Sequence, residues 1–278
     1  MPFVVIKGTY HVRGYAPDGD SIRFHADNEL HWARLSGPPV RLNGRRHAQL
    51  RFEAIDTLET HFLNTHQPRV LAVKALDFLL HELMITGVQW DVLFTRVTAA
   101  NDGVEGYVLA RAVEKHGRPV VFAYAGAAPE PDGASLFLDA ARLRASINYR
   151  SLEFGLAYPT YYRGLFYDLR AAATEAVRTA RAARMEIWAD DRTTSGFVVD
   201  GLEAIQERHV ILPKLFRRLA EYLGGGGVIA GFKQYLEARG DLVTILPTAH
   251  FTHFDTVVEV SGETVRLTVP PEDLIFEE

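Results

Sequence analysis

The 278-residue sequence has no cysteine, which excludes disulfides, thiolate zinc sites and a cysteine nucleophile, and suits a reducing compartment. It also lacks long apolar runs. No 18 consecutive apolar residues occur, and the opening residues Met1 to Gly8 have neither a basic leader before a long apolar segment nor a small-residue cleavage site. The expectation is a cytoplasmic protein with no membrane partner. An excess of basic charge is missing too: residues 1–190 carry 22 Lys and Arg against 21 Asp and Glu, and the rest carry 8 against 14, for a net charge of −5. A broad basic surface that holds nucleic acid by charge alone is thereby excluded. Any phosphate recognition has to be local, through a few arginines and a metal.

What is present is an ordinary globular composition, 47% hydrophobic and 23% charged, in a chain long enough for one large domain or two modest ones. Residues 3–13 are rich in Phe, Val, Ile and Tyr, the Pro17-Asp18-Gly19 turn follows, and residues 20–24 read as the return strand of a hairpin. Residues 26–46, with Gly37-Pro38-Pro39 and Asn43-Gly44, read as a loop excursion. Apolar positions at Val70, Val73, Leu76, Leu80 and Leu83 predict a helix that ends before Gly87. Strands are expected at 88–97, 106–113 and 118–124, and helices at 136–154 and 166–185. Residues 190–196 read as a polar linker. Beyond it, two short amphipathic helices (213–223 and 230–239) are divided by four glycines, and the strands 256–260 and 264–269 close the chain. The expected class is α+β: a small closed five-stranded barrel of OB type with packed helices over residues 1–190, and a small α+β domain over 196–278.

Residues 47–60 are the stretch around which the chain is organised: Leu50, Phe52 and Ala54 alternate with Gln49, Arg51 and Glu53, as in a half-buried strand, which runs into Asp56 and Glu59. Two carboxylates beyond an outward arginine can hold a hard cation and an anion together. Taken alone, the same residues are also a polar strand end with a solvated loop. Asp18-Gly19-Asp20 alone is a turn, and Arg118 alone is a turn cation.

Three separated stretches match one pattern. Asp18-Gly19-Asp20-Ser21, Arg51-x4-Asp56-Thr57-x-Glu59-Thr60 and Lys115-His116-Gly117-Arg118 resemble, in order, the motifs of the staphylococcal nuclease (thermonuclease-like) family. Weaker agreement continues at Asn148, Gly155-Leu156-Ala157, Tyr161 and Ile187-Trp188. The resemblance covers about residues 5–190. It departs from the family at Leu58, where the family has proline, at His116, where it has tyrosine, and in insertions at about 26–46, 100–112 and 126–145.

The resemblance implies a calcium-dependent nuclease, with another divalent cation as the alternative cofactor, that hydrolyses DNA or RNA and leaves 3′-phosphate ends. It implies Asp20 and Asp56 as carboxylate metal ligands, with the Thr57 carbonyl as a third. Glu59 would position or deprotonate the attacking water, and Arg51 and Arg118 would fork onto the phosphate. Lys115, His116 and Tyr161 are the matching positions for substrate contacts, with Tyr161 alternatively packed against Tyr158 and Tyr162. Two other readings stand beside it. One is a non-catalytic nucleic-acid or protein-binding module on the same barrel. The other is a nuclease effector under the control of residues 196–278, which would also offer a surface for a regulatory or oligomeric partner.

Overall fold

The stretch 48–52 joins the two edges of the main sheet. In the computed structural model, which describes residues 2–277, Ala48–Gln49 pairs antiparallel with Arg23–Ala26, and two residues on Arg51–Phe52 pairs parallel with Pro119–Ala125. Between those edges lie Phe3–His11 and Val104–Val113, with Ser135–Leu136 added to the start of Phe3–His11. Because the first and last strands of this order are consecutive in the chain, the sheet curls into a nearly closed barrel. It has seven strands rather than the expected five. The organising stretch counts twice, broken at Leu50, and Ser135–Leu136 comes from a segment read as an insertion.

By their contacts the residues form two units. Unit 1 comprises Met1–Glu53 and Ala75–Ser151, and unit 2 comprises Ala54–Lys74 and Leu152–Glu278. The division read from sequence, 1–190 against 196–278, draws its line elsewhere. The sequence has no means of showing that residues 54–74 and 152–190 associate with the chain's last third.

In unit 1, Phe3, Val5, Tyr10, Phe24, Leu50, Phe52, Val108 and Phe122 are all at most 1% exposed. Each such side chain contributes roughly 1.5–3 kcal/mol by leaving water. The expected alternation holds over 49–52, with Leu50 and Phe52 buried and Gln49 and Arg51 half-buried, and then fails: Glu53, expected on the outward face, is buried along with Ala54, because the strand ends at Phe52 and the chain turns with Ala54 at φ +70°. Asn148 braces the junction. Its Nδ2 donates to the carbonyls of Glu53 and Val121, both at 2.9 Å, and its Oδ1 accepts from the Ala123 amide at 2.9 Å.

Unit 2 holds three small sheets. Ile55–Thr57 pairs antiparallel with Ala157–Pro159. Tyr161–Tyr162 lies parallel to Leu274–Phe276, followed by Leu242–Ile245 and His250–His253. Phe197–Val198, Thr264–Leu267 and Val258–Ser261 make the third. The helix Tyr167–Ala182 buries Leu169, Ala173, Ala176, Val177 and Ala180 at helical spacing. The helix Pro213–Gly224 opens on proline, whose missing N–H is no loss in a first turn, and buries Leu215, Phe216, Leu219 and Ala220.

Several expected elements differ. The helix expected at 136–154 is two, Ala140–Ala145 and Ile147–Glu153, because the Ser146 hydroxyl donates to the Leu143 carbonyl and accepts from the Tyr149 amide where a continuous helix would use backbone partners. Residues 88–97 form only the short strands Gln89–Trp90 and Val97–Ala99, and Val92, Leu93 and Phe94 between them are exposed. In the helix Arg69–Glu82, Leu76 and Leu80 are buried as expected, together with Ala72, Ala75 and Leu79, while Val70 and Val73 face outward. The expected linker is polar and largely exposed, but two of its residues tie it to the fold. Asp191 accepts from the Tyr158 hydroxyl at 2.7 Å and the Thr193 amide at 3.0 Å, and Thr193, fully buried, accepts from the Leu212 amide at 2.9 Å. Among the described residues no helix is long and apolar enough to cross a membrane.

Candidate functional site

Asp56 lies in the strand Ile55–Thr57 of unit 2, opposite Tyr158, and is 6% exposed. A carboxylate so buried requires a partner, since an unpaired charge away from water is expensive. The partner is Arg217. Its Nη2 donates to Asp56 Oδ2 at 2.6 Å, and its Nη1 donates both to Asp56 Oδ1 at 3.0 Å and to Glu59 Oε1 at 2.5 Å. One guanidinium thus takes Asp56 in a fork and Glu59 with a nitrogen of the same fork.

The fully buried Gln67 sets up this meeting. Its amide nitrogen donates to the Glu59 carbonyl at 2.9 Å, and its side-chain Nε2 donates to the Ile211 carbonyl at 2.8 Å, just ahead of the helix that carries Arg217. Burial works against the charge on Arg217, but Asp56 and Glu59 outweigh it and hold the guanidinium well above its ordinary range. On the same helix face, burial pushes Lys214 down to about 8, with Arg218 and Arg217 adding to the fall and Asp241 and Asp56 opposing it. Arg218 forks onto Asp241 at 2.5 and 2.9 Å.

The remaining predicted residues are distributed as follows. Thr57 is buried beside Asp56 in unit 2. Asp20 belongs to unit 1, where its carbonyl accepts from the Phe52 amide at 3.0 Å, and the turn before it is closed by Asp18, whose side chain accepts from the Gly19 amide at 2.9 Å. Among the described residues no group of three or more His, Asp or Glu side chains is gathered so as to hold a metal ion. The pair that the structure does bring together is Asp56 and Glu59. Arg51 lies half-buried in the strand Arg51–Phe52 of unit 1.

Lys115 and His116 are exposed in the turn between Val104–Val113 and Pro119–Ala125, and Arg118 closes that turn. Glu114, 3% exposed, organises it: one carboxylate oxygen accepts from the His116 and Arg118 amides, both at 3.0 Å, and from Arg118 Nε at 3.2 Å. Burial alone would raise the Glu114 carboxyl, but the Arg118 amide and guanidinium and the His116 amide outweigh it and hold it below the usual carboxylate range.

Tyr161 has to be removed from the expected substrate contacts. It is fully buried in unit 2 and its hydroxyl lies 2.9 Å from Thr174 Oγ1, so its ring has no face left for a base. The strand that Tyr161 starts pairs with Leu274–Phe276, which is what buries it.

Arg217, Gln67 and Glu114 escaped the sequence reading. Arg217 is 161 residues from Asp56, and its one trace is an adjacent arginine pair in an otherwise acidic tail. Glu114 adjoins the Lys-His-Gly-Arg motif, and an acid four residues before an arginine is a signal that spacing offers. No protein-family model matches the chain, and no curated protein matches it.

Proposed function

We propose that the protein is a divalent-cation-dependent phosphodiesterase acting on nucleic acid, built on an OB-type barrel, and that Arg217 holds its acidic pair in a resting state. The observation that supports this is the convergence of Asp56 and Glu59 on one cationic atom, Arg217 Nη1, at 3.0 and 2.5 Å. Calcium takes carboxylate oxygens, so two of them already directed at one point suit a hard divalent ion in their chemistry. A calcium ion, or another divalent cation, would supply charge to offset that of a phosphodiester in its transition state. Asp56 and Glu59 are the side chains that would hold it, with the Thr57 carbonyl and Asp20 as the further oxygen donors that the resemblance implies. Glu59 would take a proton from the attacking water. Arg51 and Arg118 would fork onto phosphate oxygens, a match that a point-charge lysine lacks. The absence of cysteine agrees with a cytoplasmic setting.

The occupation of both carboxylates by Arg217 favours one other reading, a nucleic-acid-binding module that does not cut. The test is incubation of plasmid and single-stranded oligonucleotide with calcium or with a chelator, using the full chain and folded Glu59→Gln. Calcium-dependent cleavage with 3′-phosphate products, reduced at least a hundredfold in the variant, is expected. Binding without cleavage in any divalent metal would replace the enzyme with the module.

A further inference from the structure

In unit 1 the short strands Gln89–Trp90 and Val97–Ala99 are joined by a turn that leaves its apolar side chains in water. Val92, Leu93 and Phe94 are 94%, 80% and 69% exposed, three in succession of a kind that folding ordinarily buries. The turn's polar groups are spent on one another. The Asp91 amide donates to the Arg96 carbonyl and the Phe94 amide to the Asp91 carbonyl, both at 3.0 Å. The Asp91 carboxylate accepts from the Thr95 amide at 2.7 Å and from the Thr95 hydroxyl at 2.5 Å. These bonds hold Phe94 at φ +54°, a conformation that a bulky residue rarely adopts, so the turn has a built shape. The half-buried Trp90 ring lies 6.3 Å from that of Phe94 and extends the apolar surface toward the strands.

The base of this hairpin is basic. Arg13 is bridged to Val97, and the Gly14 amide donates to the Val97 carbonyl at 2.8 Å, so residues 13–14 run along the second strand. Arg45 joins them through Nη1, which donates to the Arg13 carbonyl at 2.9 Å. Arg13, Arg45 and Arg96 are all exposed. The neighbouring carboxylates, Asp91 and Asp102, are at most a quarter exposed and already engaged, Asp91 by the turn and Asp102 by His11 and the Val12 and Arg13 amides.

We infer that this turn docks the protein on the surface of an anionic lipid bilayer. Val92, Leu93 and Phe94 enter the acyl boundary, Trp90 sits at headgroup level, where amphipathic rings collect, and the three arginines meet anionic headgroups. A protein partner suits the turn less well. Stable protein interfaces bury roughly 800 Å² and 20–30 residues on each side, which one turn does not supply and a second copy of it does not complete. A fluid bilayer needs no matching pocket. It also offers no hydrogen-bond partners, which suits a turn that bonds internally. Among the described residues no helix can cross a membrane, but the contact here is with the surface alone. The ten-residue strand Val104–Val113 runs about 30 Å from the hairpin's end of the sheet to the Glu114-centred turn, so docking leaves that turn open. The inference does not rest on the phosphodiesterase reading.

The test is co-sedimentation of the full chain with vesicles of phosphatidylcholine alone and of phosphatidylcholine mixed with phosphatidylglycerol. Chelator is present throughout, so that calcium cannot bridge carboxylates to lipid. Anionic vesicles should bind at least about tenfold more tightly than neutral ones, and high salt should weaken the binding. Leu93→Asn with Phe94→Asn, both at exposed side chains, should weaken it at least about tenfold with an unchanged circular dichroism spectrum. Arg13→Gln with Arg45→Gln should remove most of the preference for anionic vesicles. Lipids brominated in the acyl chain should quench emission that Trp90→Phe abolishes. Binding to neither vesicle, or unchanged binding in the folded Leu93→Asn, Phe94→Asn variant, would overturn the inference. Self-association without lipid, seen by sedimentation velocity and lost in that variant, would overturn it in favour of a second copy of the chain.

Discussion

Replacing Arg217 by methionine, which keeps much of the side-chain length and removes the charge, tests its hold on Asp56 and Glu59 directly. The structure gives Arg217 three charge-assisted hydrogen bonds at 2.5, 2.6 and 3.0 Å to two carboxylates, and its side chain is 21% exposed. Removing one partner of such a pair leaves buried charge behind, at a cost of about 3–5 kcal/mol. For a unit of this size, about 2–4 °C per kcal/mol converts that to a fall in Tm of roughly 10 °C. Calcium should then recover part of the loss: at a concentration a hundred times its dissociation constant, an ion that binds only the folded state restores about 2.7 kcal/mol. In the unsubstituted protein an ion bound by this pair would have to displace Arg217, so its Tm should respond less. The assay is thermal unfolding followed by circular dichroism, with and without calcium, alongside calorimetric titration of the metal. A variant that melts within 2 °C of the parent in chelator, or that gains nothing from calcium, would refute both the energetics and the assignment of Asp56 and Glu59 as a cation-binding pair.

Two further outcomes follow from other parts of the molecule. Asn148→Ala removes three hydrogen bonds of 2.9 Å to backbone groups at the seam of the barrel. The Val121 carbonyl keeps the Glu53 amide at 2.8 Å; with two other backbone groups losing a partner at about 1–3 kcal/mol each, urea unfolding should show a loss of roughly 2–6 kcal/mol, and a loss under 1 kcal/mol would contradict the bracing role. His47 is stacked on His11 at 4.0 Å, near His25, and its Nδ1 lies 3.1 Å from the Tyr15 hydroxyl. Burial first, then the His11 and His25 imidazoles, push it down to about 4 from 6.5. The folded state therefore binds fewer protons than the unfolded one between these values. Its contribution, at most about 3 kcal/mol, is fully present above pH 6.5 and is lost as pH falls toward 4. Urea midpoints at pH 7.5 and 4.5 should differ by less in His47→Gln than in the parent, and an equal difference would exclude His47 as the source.

The sequence by itself determined features that repeat at short range. The alternation at 48–52, the return strands on either side of residues 114–118 and the helices near 166–185 and 213–223 all lie close to where periodicity and turn chemistry set them, because side chains two, three or four residues apart share a face whatever else the chain does. The turn at Asp18-Gly19 was legible for the same reason, and so was the grouping of Asp56 with Glu59. Tertiary structure alone decided which partners meet across long separations. Arg217 reaches Asp56 through a helix whose position depends on the buried Gln67, and Arg41 reaches the turn at 114–118 through a contact with Gly117. Neither pairing leaves a periodic trace. Tyr161 makes the point in the opposite direction: its motif position suggested a ring free for substrate, while its strand pairing buried it. Charge and shape at a site are sums over residues that the chain brings together only on folding, so composition and spacing could name the acidic pair but not the guanidinium that neutralises it.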